Sequence, residues 1–599
     1  MRALRRLLPY YHPYRLQVAF GLGCVVASVT LFNAIPTLLR EAIDGLRTGA
    51  GAPAVWSVAV RMVGVTLVMA LFRWQMRERL NGVSRRIEND LRDVLFAHLA
   101  TLDAGFYART RTGEIMARLT NDLGAVRMAA GPAIMYLTNT IFGGVIALVF
   151  MLHISATLTG LALLPMLFLP LVMLKLGDAV HERFEAVQAH FGDLTTRSQE
   201  NLSGVRIVRA YRQERAESER FAAMSTEYVR LNMRLARLYG VMNPAFTVLA
   251  GLGAAAVLGI GGAFVIQGAM TVGAFVAFGF YLANLTWPLI ALGWVTNLFQ
   301  RGAASMGRLN ELLDETPAIT SPAKARALPP AGAGRAIEFR HVSFAYPARG
   351  VARDRPPSTA GDGAGEPQRR DVLHDVSFSI PAGGTLGVVG ATGSGKSTLL
   401  ELIPRVFDST RGDVRIDGVP VTSLDVAALR REIGFVPQES LLFSDTLLAN
   451  LTYAGTSEDS ARWAAGVAQL ADTIAAFPGG WATMLGERGV NLSGGQKQRA
   501  ATSRALARRP AIVILDDALS AVDTHTEAAI LRGFREALAG RTAVIASHRV
   551  TAIREATHII VLDEGRIVER GTHETLLAQR GKYWALLRRQ QLEEAVEAA

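Results

Sequence analysis

The chain has 599 residues, half of them apolar and only 19% charged, with a mean hydropathy of +0.24. That balance excludes a disordered or fibrous chain and argues against a wholly soluble enzyme of this length; several domains are expected, one of them in a membrane. Lys and Arg outnumber Asp and Glu by 63 to 52, and the single cysteine, Cys24, excludes an intrachain disulfide or a cysteine-built metal cluster.

Six apolar runs near the roughly 20 residues of a membrane-crossing helix fall at 17–39, 55–74, 133–153, 157–174, 242–266 and 272–298. The last four contain no Asp, Glu, Lys or Arg, whereas the second contains Arg61 and Arg73 and is the weakest by hydropathy. The first follows a basic start (Arg2, Arg5, Arg6). It is too long for a signal-peptide core, so a retained helix is expected. Cys24 lies in this run and is expected to pack there. In the fifth run Gly251, Gly253, Gly259, Gly261 and Gly262 read as permitting close helix packing.

Arginines concentrate ahead of the first run and in the two long connections, after the second and fourth runs. By the positive-inside rule these segments face the cytoplasm, and six crossings return the carboxyl half to the same side. Topology thus accounts for the basic excess without nucleic acid. The long connections show helical apolar spacing at 81–104 and 178–237. As antiparallel pairs with about thirty residues per arm, they extend roughly 45 Å into the cytoplasm. Their expected tips are near 113–122 and 204–211. Residues 314–334 (DETPAITSPAKARALPPAGAG) lose helical periodicity and read as a domain connector. Residues 348–370 are too polar and Pro/Gly-rich for a core and read as a mobile surface loop.

A buried strand at 384–390 is followed by Gly390-Ala-Thr-Gly393-Ser-Gly395-Lys396-Ser397-Thr398 and a helix start. This is the P-loop pattern in its strand–loop–helix context: backbone N–H groups wrap phosphates, Lys396 reaches the β- and γ-phosphates, and Ser397 offers a hydroxyl to Mg²⁺. A second buried strand at 511–517 ends in Asp516 and Asp517, the Walker B arrangement, with Asp516 expected on the Mg²⁺ shell. A third at 542–547 ends at His548, which suits γ-phosphate sensing or orienting an attacking water.

Between the first two strands lies Leu492-Ser493-Gly494-Gly495-Gln496. With the P-loop and Walker B around it, the chain resembles an ATP-binding cassette (ABC) transporter of the exporter type. The stretches at 514–523, 486–499 and 441–451 are most similar to bacterial multidrug-resistance-like half-transporters that work as heterodimers. The resemblance implies an all-α six-helix transmembrane domain with long cytoplasmic helical arms (1–313), a linker (314–334), and an α/β P-loop cassette (335–599). It implies a multi-pass protein of the bacterial cytoplasmic (inner) membrane with its cassette in the cytoplasm, and ATP and Mg²⁺ as cofactors.

Residue by residue, the same resemblance gives Tyr346 as the adenine-stacking aromatic and Gln438 as the Q-loop glutamine that reaches Mg²⁺ or water. Glu487 falls in the loop that touches the arms, Asp523 in the loop across the dimer contact, and His548 at the switch position. The resemblance also implies that ATP sits between two cassettes, the signature residues 492–496 completing the partner's site. One chain therefore needs a second half-transporter. The family usually carries glutamate at the position of Asp517. A carboxylate one methylene shorter misplaces the base and slows hydrolysis. The simplest consequence is a heterodimer with one weak site; a homodimer with two slow sites remains open.

For substrate, Asn284, Trp287, Pro288, Trp294 and Asn297 in the last run and Phe32, Asn33 and Pro36 in the first supply aromatic and amide groups. With no charge in the last four runs, an amphipathic or cationic drug-like molecule, a lipid or a peptide suits. Taken singly, each residue is explained equally by helix packing or interfacial anchoring. A regulatory subunit whose partner performs most hydrolysis is the alternative to an active exporter subunit.

Overall fold

The computed structural model describes residues 2–49, 51–165, 169–330, 332–346, 371–486, 489 and 491–597. The chain divides into two compact units, one of residues 1–96 and 116–314, the other of residues 97–115 and 315–599. The expected loop at 348–370 lies outside the described residues, as does Glu487.

The first unit is helical. Its principal elements are α1 (Arg15–Arg47) and α2 (Ala52–Leu99), of which 52–96 belong here. The chain reverses through α3 (Ala104–Arg109) and returns as α4 (Thr112–Ile154), followed by α5 (Ala156–Leu163). Next come α6 (Leu169–Ser203), α7 (Val205–Ala210), α8 (Glu214–Ile266) and α9 (Val272–Asp314). Among the described residues four helical stretches are long and apolar enough to cross a membrane: Ala3–Arg47, α2, α4 and α8; Val272–Leu285 is a shorter apolar stretch. The expected run at 157–174 falls partly on residues 166–168, outside the described set. The second run is as apolar as its neighbours, contrary to expectation. Arg61 and Arg73 do not outweigh the uncharged, mostly apolar residues 62–72 between them.

The closest helix approaches are at glycines outside the expected set, and one expected glycine, Gly261, is also crowded. A Cβ on Gly131 of α4 would lie 2.5 Å from the Ser84 Cβ of α2, and one on Gly302 of α9 would lie 2.3 Å from the Ala129 Cβ of α4. Of Gly251, Gly259, Gly261 and Gly262, only Gly261 is crowded, by Phe275 and Leu158; the others meet nothing within 4 Å. Cys24 is buried, as expected. Asp122 of α4 binds Ser305 and Arg308 of α9 at 2.9 Å each, tying the two helices below their apolar segments.

Both arms are helical pairs. In the second, His190 of α6 bonds the Met224 carbonyl of α8 at 2.8 Å, and Arg197 pairs with Glu217. Its tip is the break at Gly204 and α7, as expected, with Ile207 and Tyr211 exposed. The first arm turns earlier than expected. Its reversal is at 100–111, and residues 113–122 already belong to the returning helix. The stop signal is Asp103, whose carboxylate caps α3 by accepting from the Phe106 N–H. Gly113 is absorbed into the helix, at the modest cost an isolated glycine carries there.

In the second unit, the arm tip is fastened to the start of the linker. Asp103 also accepts from the Ala318 N–H at 2.7 Å, and Arg109 pairs with Glu315. The cassette contributes β1 (Ile337–Phe344), β2 (Leu373–Ile380), β3 (Thr385–Val389), β4 (Arg411–Ile416) and β5 (Val419–Pro420). The remaining strands are β6 (Ile433–Val436), β7 (Ile512–Asp516), β8 (Thr542–Ala546), β9 (His558–Asp563) and β10 (Arg566–Gly571). An antiparallel sheet has the order β2-β1-β4-β5, and a six-stranded sheet the order β10-β9-β3-β8-β7-β6. In the latter β9, β3, β8, β7 and β6 are parallel. Strands β7 and β8 are buried along their whole length, which is why they read as continuous apolar runs.

Candidate functional site

Parallel strands that are neighbours in a sheet end on the same edge, and the loops leaving that edge meet there. Here β3 runs into the P-loop, β8 into His548, β7 into Asp516 and Asp517, and β6 into the loop of Gln438. The neighbours β3-β8-β7-β6 thus gather four motifs separated widely in sequence.

The P-loop has the geometry that glycine allows. Gly393 and Gly395 have φ of +81° and +99°, and a Cβ on Gly390 would stand 2.2 Å from the Leu562 carbonyl oxygen. The loop leads into α10 (Lys396–Leu402), whose first N–H groups are free for an anion. Lys396 is buried and curls over its own loop, its Nζ donating to the carbonyls of Gly390 (2.9 Å) and Ala391 (3.0 Å). Burial lowers its pKa; the carboxylates of Asp516 and Asp517 oppose the shift.

Asp516 is buried, and burial pushes its carboxyl above the ordinary range, with Asp517 adding like-charge repulsion. The Ser397 hydroxyl hydrogen-bonds this carboxylate and works the other way. A hydroxyl and a raised, buried carboxylate beside a second carboxylate form a hard-oxygen donor set with excess negative charge, which fits a divalent cation. Asp517 has φ of +49°, a left-handed conformation that aspartate tolerates better than most residues, and its Oδ1 is buried with no hydrogen-bond partner. Burial, then Lys396, lowers the pKa of His548.

Tyr346 packs edge-on against Phe344 and Phe407, and its hydroxyl meets the Thr398 hydroxyl at 2.9 Å and donates to Glu401. Its ring remains partly exposed. Gln438 is exposed, two residues beyond the end of β6.

The signature residues start α11 (Gly494–Ala507). Ser493 caps it through a capping box: its Oγ accepts from the Gln496 N–H, and the Gln496 Oε1 accepts from the Ser493 N–H. Leu492 is buried, whereas Ser493 and Gly494 are exposed. Gly495 is fixed by packing, since a Cβ there would lie 2.6 Å from the Ala521 carbonyl oxygen. Asp523 caps α12 (Thr524–Ala537) by accepting from the Thr526 N–H, which lowers its pKa.

Three residues that the sequence reading passed over are built into this site. Gln498 donates to the Asp517 carbonyl (3.2 Å) and the Ser520 hydroxyl (2.9 Å) and accepts from the Ala521 N–H (3.0 Å). It thereby joins α11 to the segment after Walker B. Glu401 is a half-buried acid whose pKa is raised by desolvation. Gln590, on α13 (Lys582–Glu597), holds the main chain around His548. The signature's own QKQR run was the one available signal for Gln498; the other two follow no local motif.

The family model for the ABC transporter transmembrane region matches residues 18–289, and that for the ABC transporter cassette matches residues 373–520. The probable multidrug resistance ABC transporter ATP-binding/permease protein YheI of Bacillus subtilis is 37% identical across 99% of this chain and 98% of its own length. The chain belongs to the ABC transporter family. This family member is 38% identical to the multidrug resistance-like ATP-binding protein MdlA of Escherichia coli, over 97% of this chain and 95% of that protein. It is 33% identical to an ATP-dependent lipid A-core flippase of Syntrophus aciditrophicus, over 98% and 94%. A solved bacterial Atm1-family ABC exporter with ATP bound superposes with a TM-score of 0.73 at 28% identity, covering 98% of each chain. The chain is thus an ABC exporter, a membrane protein whose ATPase domain couples ATP hydrolysis to transport.

Proposed function

We propose that this chain is one half of a heterodimeric exporter that moves amphipathic molecules, drug-like or lipid, out of the bacterial cytoplasm across the inner membrane by alternating access. The observation that carries it is the gathering of Lys396, Asp516, Asp517 and His548 at one sheet edge, together with an exposed signature serine at the head of a 14-residue helix. The multidrug-resistance and lipid-flippase names of the relatives support the substrate range. Residues 1–313 form a six-span membrane domain, 314–334 the linker and 335–599 the cassette.

ATP lies against Tyr346 and the loop of Gly390, Gly393, Gly395, Lys396, Ser397 and Thr398. Lys396 exchanges its two loop carbonyls for phosphate oxygens. Ser397, Asp516 and Gln438 hold Mg²⁺, which when bound offsets phosphate charge. His548, kept neutral, holds the γ-phosphate side by a ring N–H. Leu492, Ser493, Gly494, Gly495 and Gln496 face the partner's nucleotide through the α11 N-terminus. Glu487 and Asp523 transmit closure to the arms and across the dimer. Asp517 makes the chain's own site slow, because a carboxylate one methylene shorter than glutamate misplaces the attacking water.

The same short carboxylate at 517 supports the second reading, a regulatory subunit that holds ATP as a ligand while its partner performs the hydrolysis. Steady-state ATPase of the purified chain, alone and with a partner half-transporter, tests both. Asp517→Glu is expected to raise turnover at least several-fold. Fast turnover by the lone chain that Asp517→Asn leaves unchanged would rule out a weak site.

A further inference from the structure

A cavity of about 380 Å³ opens within the membrane unit, among α1, α2, α4 and α9. Its charge comes from the second helix, where the sequence reading did not look. Arg73 and Arg77, one turn apart on α2, both line it, and no carboxylate does. Neither guanidinium forms an ion pair among the described residues. Like charges at i and i+4 repel, and charge near a bilayer is costly unless it serves a partner. The pair therefore keeps an unfavourable arrangement that an anion would relieve.

Arg73, like Arg77 exposed, stands over the Phe32 ring of α1, 5.2 Å from the guanidinium carbon to the ring centre, on the side that faces the cavity's lining residues. An arginine that merely anchored the helix at the interface would turn its head out to water and lipid phosphates. Three amides from three other helices, Asn33, Asn139 and Asn284, line the same space. Asn33 is 2% exposed; its Nδ2 donates to the Val29 carbonyl at 2.9 Å, while its Oδ1 is buried with no partner. That buried acceptor belongs to a residue lining the same cavity as the two arginines and has no partner among the described residues.

We infer that this cavity is a headgroup site for an anionic amphiphile, with Arg73 and Arg77 forking a carboxylate or phosphate and the apolar wall around Met135 taking the start of its tail. The assignment rests on the exporter reading and narrows it: cationic drugs are disfavoured at this site.

The test uses the full-length protein in nanodiscs of phosphatidylcholine, with tail-labelled dodecyl phosphate and dodecyltrimethylammonium as probes and binding read by fluorescence anisotropy. Dodecyl phosphate is expected to bind at least tenfold more tightly than the cation. Arg73→Gln with Arg77→Gln should weaken that binding at least tenfold, the paired Lys variant should restore most of it, and Arg215→Gln, on an exposed arm, should change nothing. Competition by phosphatidylglycerol in the nanodisc identifies a bilayer lipid as the source; its absence identifies a soluble amphiphile. Equal binding of the two probes, or binding indifferent to the Gln pair while the variant keeps its native melting temperature, overturns the site. If the Gln pair does not fold, retention of tight phosphate binding by either single Gln variant at wild-type strength overturns it equally. Arginine-dependent binding without ATP-driven uptake into inverted vesicles defeats the exporter reading alone. Uptake of the cation without anion binding defeats the site alone.

Discussion

The side-chain amide of Gln590 closes on the main chain at His548, donating from Nε2 to the His548 carbonyl and accepting at Oε1 from the Val550 N–H 2.9 Å away. The far end of the chain thus fixes the backbone on which the switch imidazole is mounted. Each such bond is worth about 0.5–1.5 kcal/mol net. Gln590→Ala is expected to lower ATPase several-fold with nucleotide affinity nearly unchanged, and Gln590→Glu, which keeps only the acceptor, to fall between. Steady-state kinetics with a separate nucleotide-binding titration checks this; unchanged turnover in the Ala variant would refute it.

His548 titrates below its ordinary value near 6.5, because burial and then Lys396 disfavour the cation. The nucleotide-free protein should therefore hold it neutral at pH 7. As pH falls through about 6.5, the unfolded chain gains a proton that the folded chain refuses, so stability is lost on the acid side. An NMR titration of the His548 ring should give an inflection below 6.5. His548→Gln should shrink the drop in melting temperature between pH 7.5 and 5.5.

Gln498 is 7% exposed and satisfies three groups on the segment from Asp517 to Ala521. Gln498→Leu leaves the Ala521 N–H without its acceptor, at about 1–3 kcal/mol for a polar group left unpaired, while the Asp517 carbonyl keeps the Ser520 hydroxyl. Thermal denaturation should show the loss, and kcat should fall more than KM rises, because the carboxylate end of β7 loses its brace. A variant with wild-type melting and kcat would contradict the assignment.

Asp103 caps α3 and also takes the Ala318 N–H of the linker. Asp103→Ala removes both bonds, about 1 kcal/mol for the cap alone. Limited proteolysis should then cut the segment 314–334 several times faster than in the wild-type protein. Equal cleavage rates would mean the linker is held by other contacts.

Much of this protein is written locally. The P-loop glycines, the buried strand ending at Asp516, the LSGGQ run and the aromatic at 346 are contiguous patterns, because phosphate binding and strand burial impose short-range rules. Long uncharged runs announce a membrane in the same way. The first arm shows where local reading slips: its tip is expected near 113–122, but Gly113 is accommodated in a helix, and the cap at Asp103 decides the reversal.

The sequence by itself determined the membrane-plus-cassette organisation, the family, and nearly all residues of the candidate nucleotide site, since each lies in a motif a few residues long. Only the tertiary structure decided which distant residues support that site and what lines the membrane cavity. Gln590 reaches His548 across 42 positions, and Arg73, Phe32, Asn139 and Asn284 come from four different helices. The physical reason is that hydrogen bonds and charge act through space, and a helix face or sheet edge brings together residues whose separation along the chain carries no sign of it.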